Sequence, residues 1–278
     1  MDIDLLEWLN LIARWVHVFA GIMWIGQTYF FTWLDGRFTE LEARAKEAEN
    51  LWMVHSGGFY VVEKQKVPKM MPARLHWFKW EAATTWLSGV VLLVLVYYLG
   101  GIMVDTSIAE MEETSLILIG IGLMVASWPL YELLWRSPLR RNEFVGAGVS
   151  FLAVAGVSYL LSQVMGGRAA YMHVGAMFGT IMAANVWFTI IPAQKKMVAA
   201  LEQGRPPDPE LSARAKACSK HNTFMVVPVV FIMISSHFPT ATYGTEMSWL
   251  VLMSLILAGW VAAKIIRRAC GRGCMKNS

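Results

Sequence analysis

Phe144–Met165 reads FVGAGVSFLAVAGVSYLLSQVM, 22 residues without a single charge. An apolar run of about 20 residues is the length that crosses a bilayer as a helix. Working outward from it, six more stretches of the same kind appear at roughly 5–34, 78–99, 115–135, 169–191, 222–238 and 247–266. The expected fold is an all-α polytopic membrane helix bundle of about seven transmembrane helices, one domain over 1–278. Composition agrees: 56% hydrophobic residues, 16% charged and a mean hydropathy of +0.46 are too apolar for a water-soluble globule of this size. The first stretch is not a cleaved signal, because it opens on Asp2, Asp4 and Glu7 and carries Arg14 and His17.

Charge orients the bundle. Segments 35–79, 136–143, 192–221 and 264–278 hold 8, 3, 6 and 5 Lys/Arg, whereas 100–114 and 239–246 hold none. Near 166–168 there is only Arg168, and the remaining basic residue, Arg14, lies within the first span. The positive-inside rule then puts the N-terminus outside and the C-terminus in the cytoplasm. On this reading 35–77 and 192–221 are cytoplasmic loops and 267–278 a cytoplasmic tail. The net charge of +4 follows from the asymmetry, and no nucleic-acid partner is needed to explain it. Cys218, Cys270 and Cys274 face the reducing side and predict no disulfide. The tail motif Cys270–Cys274 has three intervening residues and no following histidine, so it is not a c-type haem attachment site.

Within the loops, 37–50 reads as a charged helix laced with i,i+3 and i,i+4 pairs. The apolar, aromatic Leu51–Tyr60 has a Gly-Gly hinge and length enough to dip back into the mouth of the bundle.

Ionisable side chains at membrane depth mark cofactors, proton paths or substrate sites, and the six histidines fall into two layers. His17, His173 and His237 belong to the outer half, with Arg14 and Arg168. Two of these three histidines are expected to be axial ligands of a haem iron, and the arginines to hold its propionates. For His17 taken alone, a hydrogen bond to a neighbouring helix carbonyl is the more ordinary explanation. His55, His76 and His221 lie at the inner edge, together with Glu81, Glu132 and Asn222. Two histidines, carboxylates and amides around one mouth suit a polar heterocycle and proton transfer. From spacing alone, a solvated belt of helix ends fits equally well. Gly175 and Gly179 form a small-xxx-small face, ordinarily a helix-packing device.

Several long motifs go further. They are Trp24-Ile25-Gly26; Leu51–Tyr60 (LWMVHSGGFY); Leu75–Glu81 (LHWFKWE) followed by Thr85–Gly89; Ser137-Pro138-Leu139; His173–Gln194 (HVGAMFGTIMAANVWFTIIPAQ); Pro207-Asp208-Pro209; His221-Asn222-Thr223; and Ser235–Pro239. With these the chain closely resembles the membrane domain of the bacterial cytochrome-c-linked urate oxidase (urate hydroxylase) family, over about 3–266. The resemblance implies a multi-pass enzyme of the bacterial inner membrane. It would oxidise urate to 5-hydroxyisourate with water supplying the oxygen and electrons leaving to cytochrome c. Members typically carry a C-terminal cytochrome c domain, and no such domain is encoded up to Ser278. A separate periplasmic cytochrome c is therefore the expected acceptor, reached through haem b. His76 or His221, with Glu81, is the expected base, and His55, Asn222 and Glu132 the expected substrate contacts. The competing classes are a haem-b electron carrier without its own substrate and a urate or purine permease.

Overall fold

The computed structural model describes residues 4–44, 50–65 and 74–272. It contains α1 (Leu5–Arg44), a hairpin of β1 (Leu51–His55) and β2 (Gly58–Val62), α2 (Trp80–Leu93) continued by a π-helical turn at Val94–Tyr98, and α3 (Glu113–Arg136). Then come α4 (Glu143–Ser162), α5 (Gly167–Ala184), a second π-helical turn (Asn185–Ile190), α6 (Ile191–Glu202), α7 (Pro209–Ser235) and α8 (Ser248–Arg272). Taking α5 through α6 as one continuous helix, seven helices among the described residues are long and apolar enough to cross a membrane, the mark of a multi-pass membrane protein. All seven expected spans are present.

Cross-helix contacts fix the directions. His17 meets Thr85 and Gln27 meets Glu81, so α1 and α2 are antiparallel. Gly120 lies against His173 and Trp128 bonds Asn185, so α3 and α5 run parallel. Gly175 against Ile232 and Asn185 with Asn222 make α5 and α7 antiparallel. Arg267 with Thr223 and Gly259 against Pro228 do the same for α7 and α8. We call the end where α1 begins the leading end and the end where α2 begins the far end.

The centre is α5. Its apolar stretch is 67% buried within the protein, against 6% for α1, which presents Trp15, Phe19 and Ile22 outward. Small residues explain the difference. Gly175 brings α5 so close to α7 that an added Cβ would sit 2.8 Å from the Ile232 side chain, so this glycine does serve packing. Gly179 has open space around it.

The segments 35–77 and 192–221 depart from the loops expected of them. The first span does not stop at residue 34: α1 runs to Arg44, and Arg37 and Glu40 form an i,i+3 pair at 2.9 Å on that extension. At 40 residues α1 is about 60 Å long, twice the hydrocarbon thickness. Pro192 does not end the fifth span either. It occupies the first turn of α6, where its missing N–H costs nothing, and the π turn just ahead absorbs the change of register. Helix continues to Glu202, where Gly204 (φ 69°) provides the left-handed stop. α7 begins at Pro209 behind the N-cap Asp208. Leu51–Tyr60 does not enter the bundle. Ser56 (φ 49°) and Gly57 (φ 77°) make the tight turn of a β-hairpin in which Trp52 pairs with Val61 and Val54 with Phe59, all four exposed. Part of the expected charged helix (45–49) and Cys274 lie outside the described residues.

Candidate functional site

Asn185 is fully buried, at the first position of the π turn in the most buried helix. π-helical turns inside α-helices recur at functional sites because the extra residue re-aims side chains. Here Trp128 Nε1 on α3 donates to Asn185 Oδ1 at 3.3 Å, and Asn185 Nδ2 donates to Asn222 Oδ1 on α7 at 3.0 Å. Asn222 Nδ2 in turn donates to the Met182 carbonyl at 3.0 Å. Two amides are thus held between α5 and α7 where isolated polar groups would be costly.

One turn toward the far end the chemistry becomes ionisable. His221 Nδ1 and the Tyr131 hydroxyl are 2.6 Å apart, and the His221 ring tilts against Trp135 at 4.1 Å between centroids. Tyr131 lies next to Asn185 and within reach of the Arg214 charge. Glu132 is buried and accepts from Arg136 Nε at 2.6 Å and from Arg214, which crosses from α7. Buried Cys218 and Thr189 complete the wall. Most of these side chains satisfy one another, while Thr189 Oγ1 is buried without a partner among the described residues.

Of the expected far-end residues, the fold gathers His221, Asn222 and Glu132. His76 stands apart: exposed, its ring 4.5 Å from Phe78, it borders a cavity of about 240 Å³ lined by Trp77, Gln194, Met197 and Leu201. Glu81 faces α1 and accepts from Gln27 Nε2 at 3.0 Å. Its other carboxylate oxygen is buried without a partner among the described residues. Trp77, Ala82, Val186 and Ile191 form an apolar plug between this region and the π turn. His55 ends β1 at the exposed hairpin turn. The trio His76, His221 and Glu81 is therefore not one constellation: α2 meets one face of the π turn and α7 the other.

The leading-end histidines divide as well. Nδ1 of His17 donates to the Thr85 carbonyl at 2.9 Å and Nδ1 of His173 to the Ala169 carbonyl at 2.8 Å. A carbonyl only accepts, so each ring keeps Nε2 as its lone-pair nitrogen, and that of His173 accepts from the Tyr98 hydroxyl at 3.3 Å. Glycines make room for both rings: a Cβ at Gly89 would lie 3.0 Å from His17 Cε1, and one at Gly120 would lie 2.6 Å from His173 Nε2. The two rings do not converge. His17 meets α2 at Thr85–Gly89 and His173 meets the π turn that continues it at Tyr97–Tyr98, eight or more residues on, at least about 12 Å along a helix. His237 is exposed in the turn after α7. His17 Nε2 keeps the lone pair that an axial ligand needs, whereas that of His173 is engaged by the Tyr98 hydroxyl. Among the described residues no group of three or more metal-ligating side chains forms. Arg168 lies 5.9 Å over the Tyr97 ring, beside His173, with its Nε buried and unpartnered. Arg14 is exposed and donates to Asn10 at 2.7 Å on its own helix.

Sequence reading passed over Tyr131, Trp128, Asn185 and Arg214. Asn185 carried a usable signal as a lone amide within an apolar span. Arg214 carried none, since it sat in a segment read as loop.

A model of the family described as Urate oxidase N-terminal matches residues 3–270. No curated protein and no solved structure matches the chain.

Proposed function

The chain belongs to the urate oxidase N-terminal family, and from that membership we propose that it is a membrane-bound urate hydroxylase with its substrate site at the α3–π turn–α7 cluster. The carrying observation is the buried junction of the Asn185–Asn222 amide pair with the His221–Tyr131 pair. Urate is a flat monoanion bordered by alternating N–H and C=O groups. Two amides and a phenol match that edge, and the adjoining Arg214 matches its charge.

The reaction joins water to urate, giving 5-hydroxyisourate, two electrons and two protons. His221 takes a proton from urate or from the attacking water, and Tyr131 holds the ring in place. The amides orient the heterocycle, and the Trp128 and Trp135 rings keep bulk water away. A haem b, held through His17, or through His173 once Tyr98 releases it, with Arg168 and Arg14 toward its propionates, would supply one-electron acceptance and pass charge to a cytochrome c. The clustering of Lys/Arg on far-end segments supports a far end in the cytoplasm of a bacterial inner membrane. Substrate then enters from the cytoplasm and electrons leave on the periplasmic side.

The 240 Å³ cavity beside His76 and Gln194 favours one second reading, in which the same reaction runs at that cavity. The test is urate consumption by the purified protein, without oxygen, with an added one-electron acceptor. Acceptor reduction that tracks urate loss supports the proposal, and absence of urate loss overturns it.

A further inference from the structure

Glu132 Oε1 takes both guanidinium groups, Arg136 Nε from its own helix and Arg214 from α7. Exposure is graded through this triad: the side chain of Arg136 is 61% exposed, that of Arg214 38% and that of Glu132 11%. Three charges leave one positive charge in excess. The nearby Lys220–Glu143 pair, 2.6 Å apart, is neutral as a unit and does not cancel it. The groups bonded to one another just inward of the triad, the Tyr131–His221 pair and the asparagines, are uncharged, and the cation that reaches α7 from α8, Arg267, is bonded to Thr223. A cationic mouth over a neutral polar interior suits an anion whose charge stays at the mouth.

We infer that Glu132 is an internal stand-in for the substrate anion, and that Arg214 is the specificity-determining residue that exchanges Glu132 for urate. The inference rests on the reading of this cluster as the urate site. In the closed state one carboxylate oxygen of Glu132 takes the Arg214 guanidinium, the group that an oxyanion of urate would use. When urate enters, Arg214 turns to it and Glu132 keeps Arg136, so neither the carboxylate nor the bound anion is left without a cation. The exchange explains why the cluster is packed shut. It also gives discrimination, because a neutral purine has nothing with which to displace the carboxylate.

Urate binding to the full-length protein in detergent, measured calorimetrically, tests this. Glu132→Gln removes the competitor and is expected to tighten urate binding by about 5-fold. Arg214→Gln removes the cation and is expected to weaken it by at least ~30-fold, the range for truncating one partner of a buried charge pair. Arg214→Lys keeps the charge without the fork and should fall between. If the triad only clamps α3 to α7, Glu132→Gln will bind urate no better than wild type, and the inference is overturned. Equal binding by Arg214→Lys and wild type overturns it too. Failure of the wild type to bind urate at all is a different result and overturns the site assignment itself.

Discussion

Tyr131 and Glu132 are consecutive on α3 yet reach two points of α7 seven residues apart: the Tyr131 hydroxyl meets His221 at 2.6 Å and Glu132 meets Arg214. Seven residues are two helical turns, so a single turn of α3 bridges the uncharged interior of the cluster and its cationic mouth. The pairing ties proton transfer and charge recognition to one place.

Tyr131→Phe removes the hydrogen bond to His221 but keeps the ring. Loss of a positioning hydrogen bond should lower kcat by about 10-fold, whereas loss of the base in His221→Ala should lower it by ~10²–10⁴-fold. Steady-state kinetics with a one-electron acceptor measure both. A Tyr131→Phe enzyme as impaired as His221→Ala would give the phenol, not the imidazole, the proton-transfer role.

Asn222→Leu strands the Asn185 amide donor in the middle of the protein and removes one of the hydrogen bonds to the Met182 carbonyl. Buried unsatisfied groups cost about 1–3 kcal/mol each, so the variant should unfold at a lower temperature in detergent. It should also raise KM for urate. Unchanged melting would mean that water or lipid already satisfies these groups.

Gly120→Ala places a methyl group within 2.6 Å of His173 Nε2 and 2.8 Å of the Tyr98 hydroxyl. Overpacking of this kind costs about 1–3 kcal/mol, so reduced stability is expected, with displacement of the His173 ring. Gly89→Ala meets His17 Cε1 at 3.0 Å and should be milder. If haem binds through His173, the Gly120 variant will also shift or lose the Soret band, which spectra of the purified protein will show.

Ser56→Cys sits at the exposed tip of the β-hairpin, which hangs from the far end of α1 through the 2.6 Å Lys64–Asp35 ion pair. With the far end in the cytoplasm, a membrane-impermeant thiol reagent will label it in inverted vesicles and not in intact cells. The opposite pattern reverses the orientation.

The seven spans were legible in the sequence because about 20 uncharged residues leave few alternatives. The charged helix over 37–50 was legible from its i,i+3 and i,i+4 pairs, and up to Arg44 it is the end of α1. The continuation of the fifth span through Pro192 was not, because hydropathy stops at the first charges while the helix goes on past a proline that follows the π turn. Of the far-end residues, His221, Asn222 and Glu132 were recoverable as polar groups at helix depth. That His76 and Glu81 stand apart from them was not, because it depends on which face of the π turn each helix meets, and a one-residue bulge leaves no mark in hydropathy. The relative depth of His17 and His173 was not legible for a related reason. Counting residues from each helix end placed His17 and His173 at one depth, whereas their meeting points along α2 and its π-helical continuation lie at least about 12 Å apart.

The most direct test of where urate is oxidised is the initial rate of anaerobic urate loss, coupled to reduction of a one-electron acceptor, in wild type, His221→Ala and His76→Ala. A site between α3, the π turn and α7 predicts that His221→Ala loses at least ~10²-fold in rate while His76→Ala stays close to wild type. The reverse pattern, an active His221→Ala beside an inactive His76→Ala, would contradict the account and move the chemistry to the cavity beside Gln194.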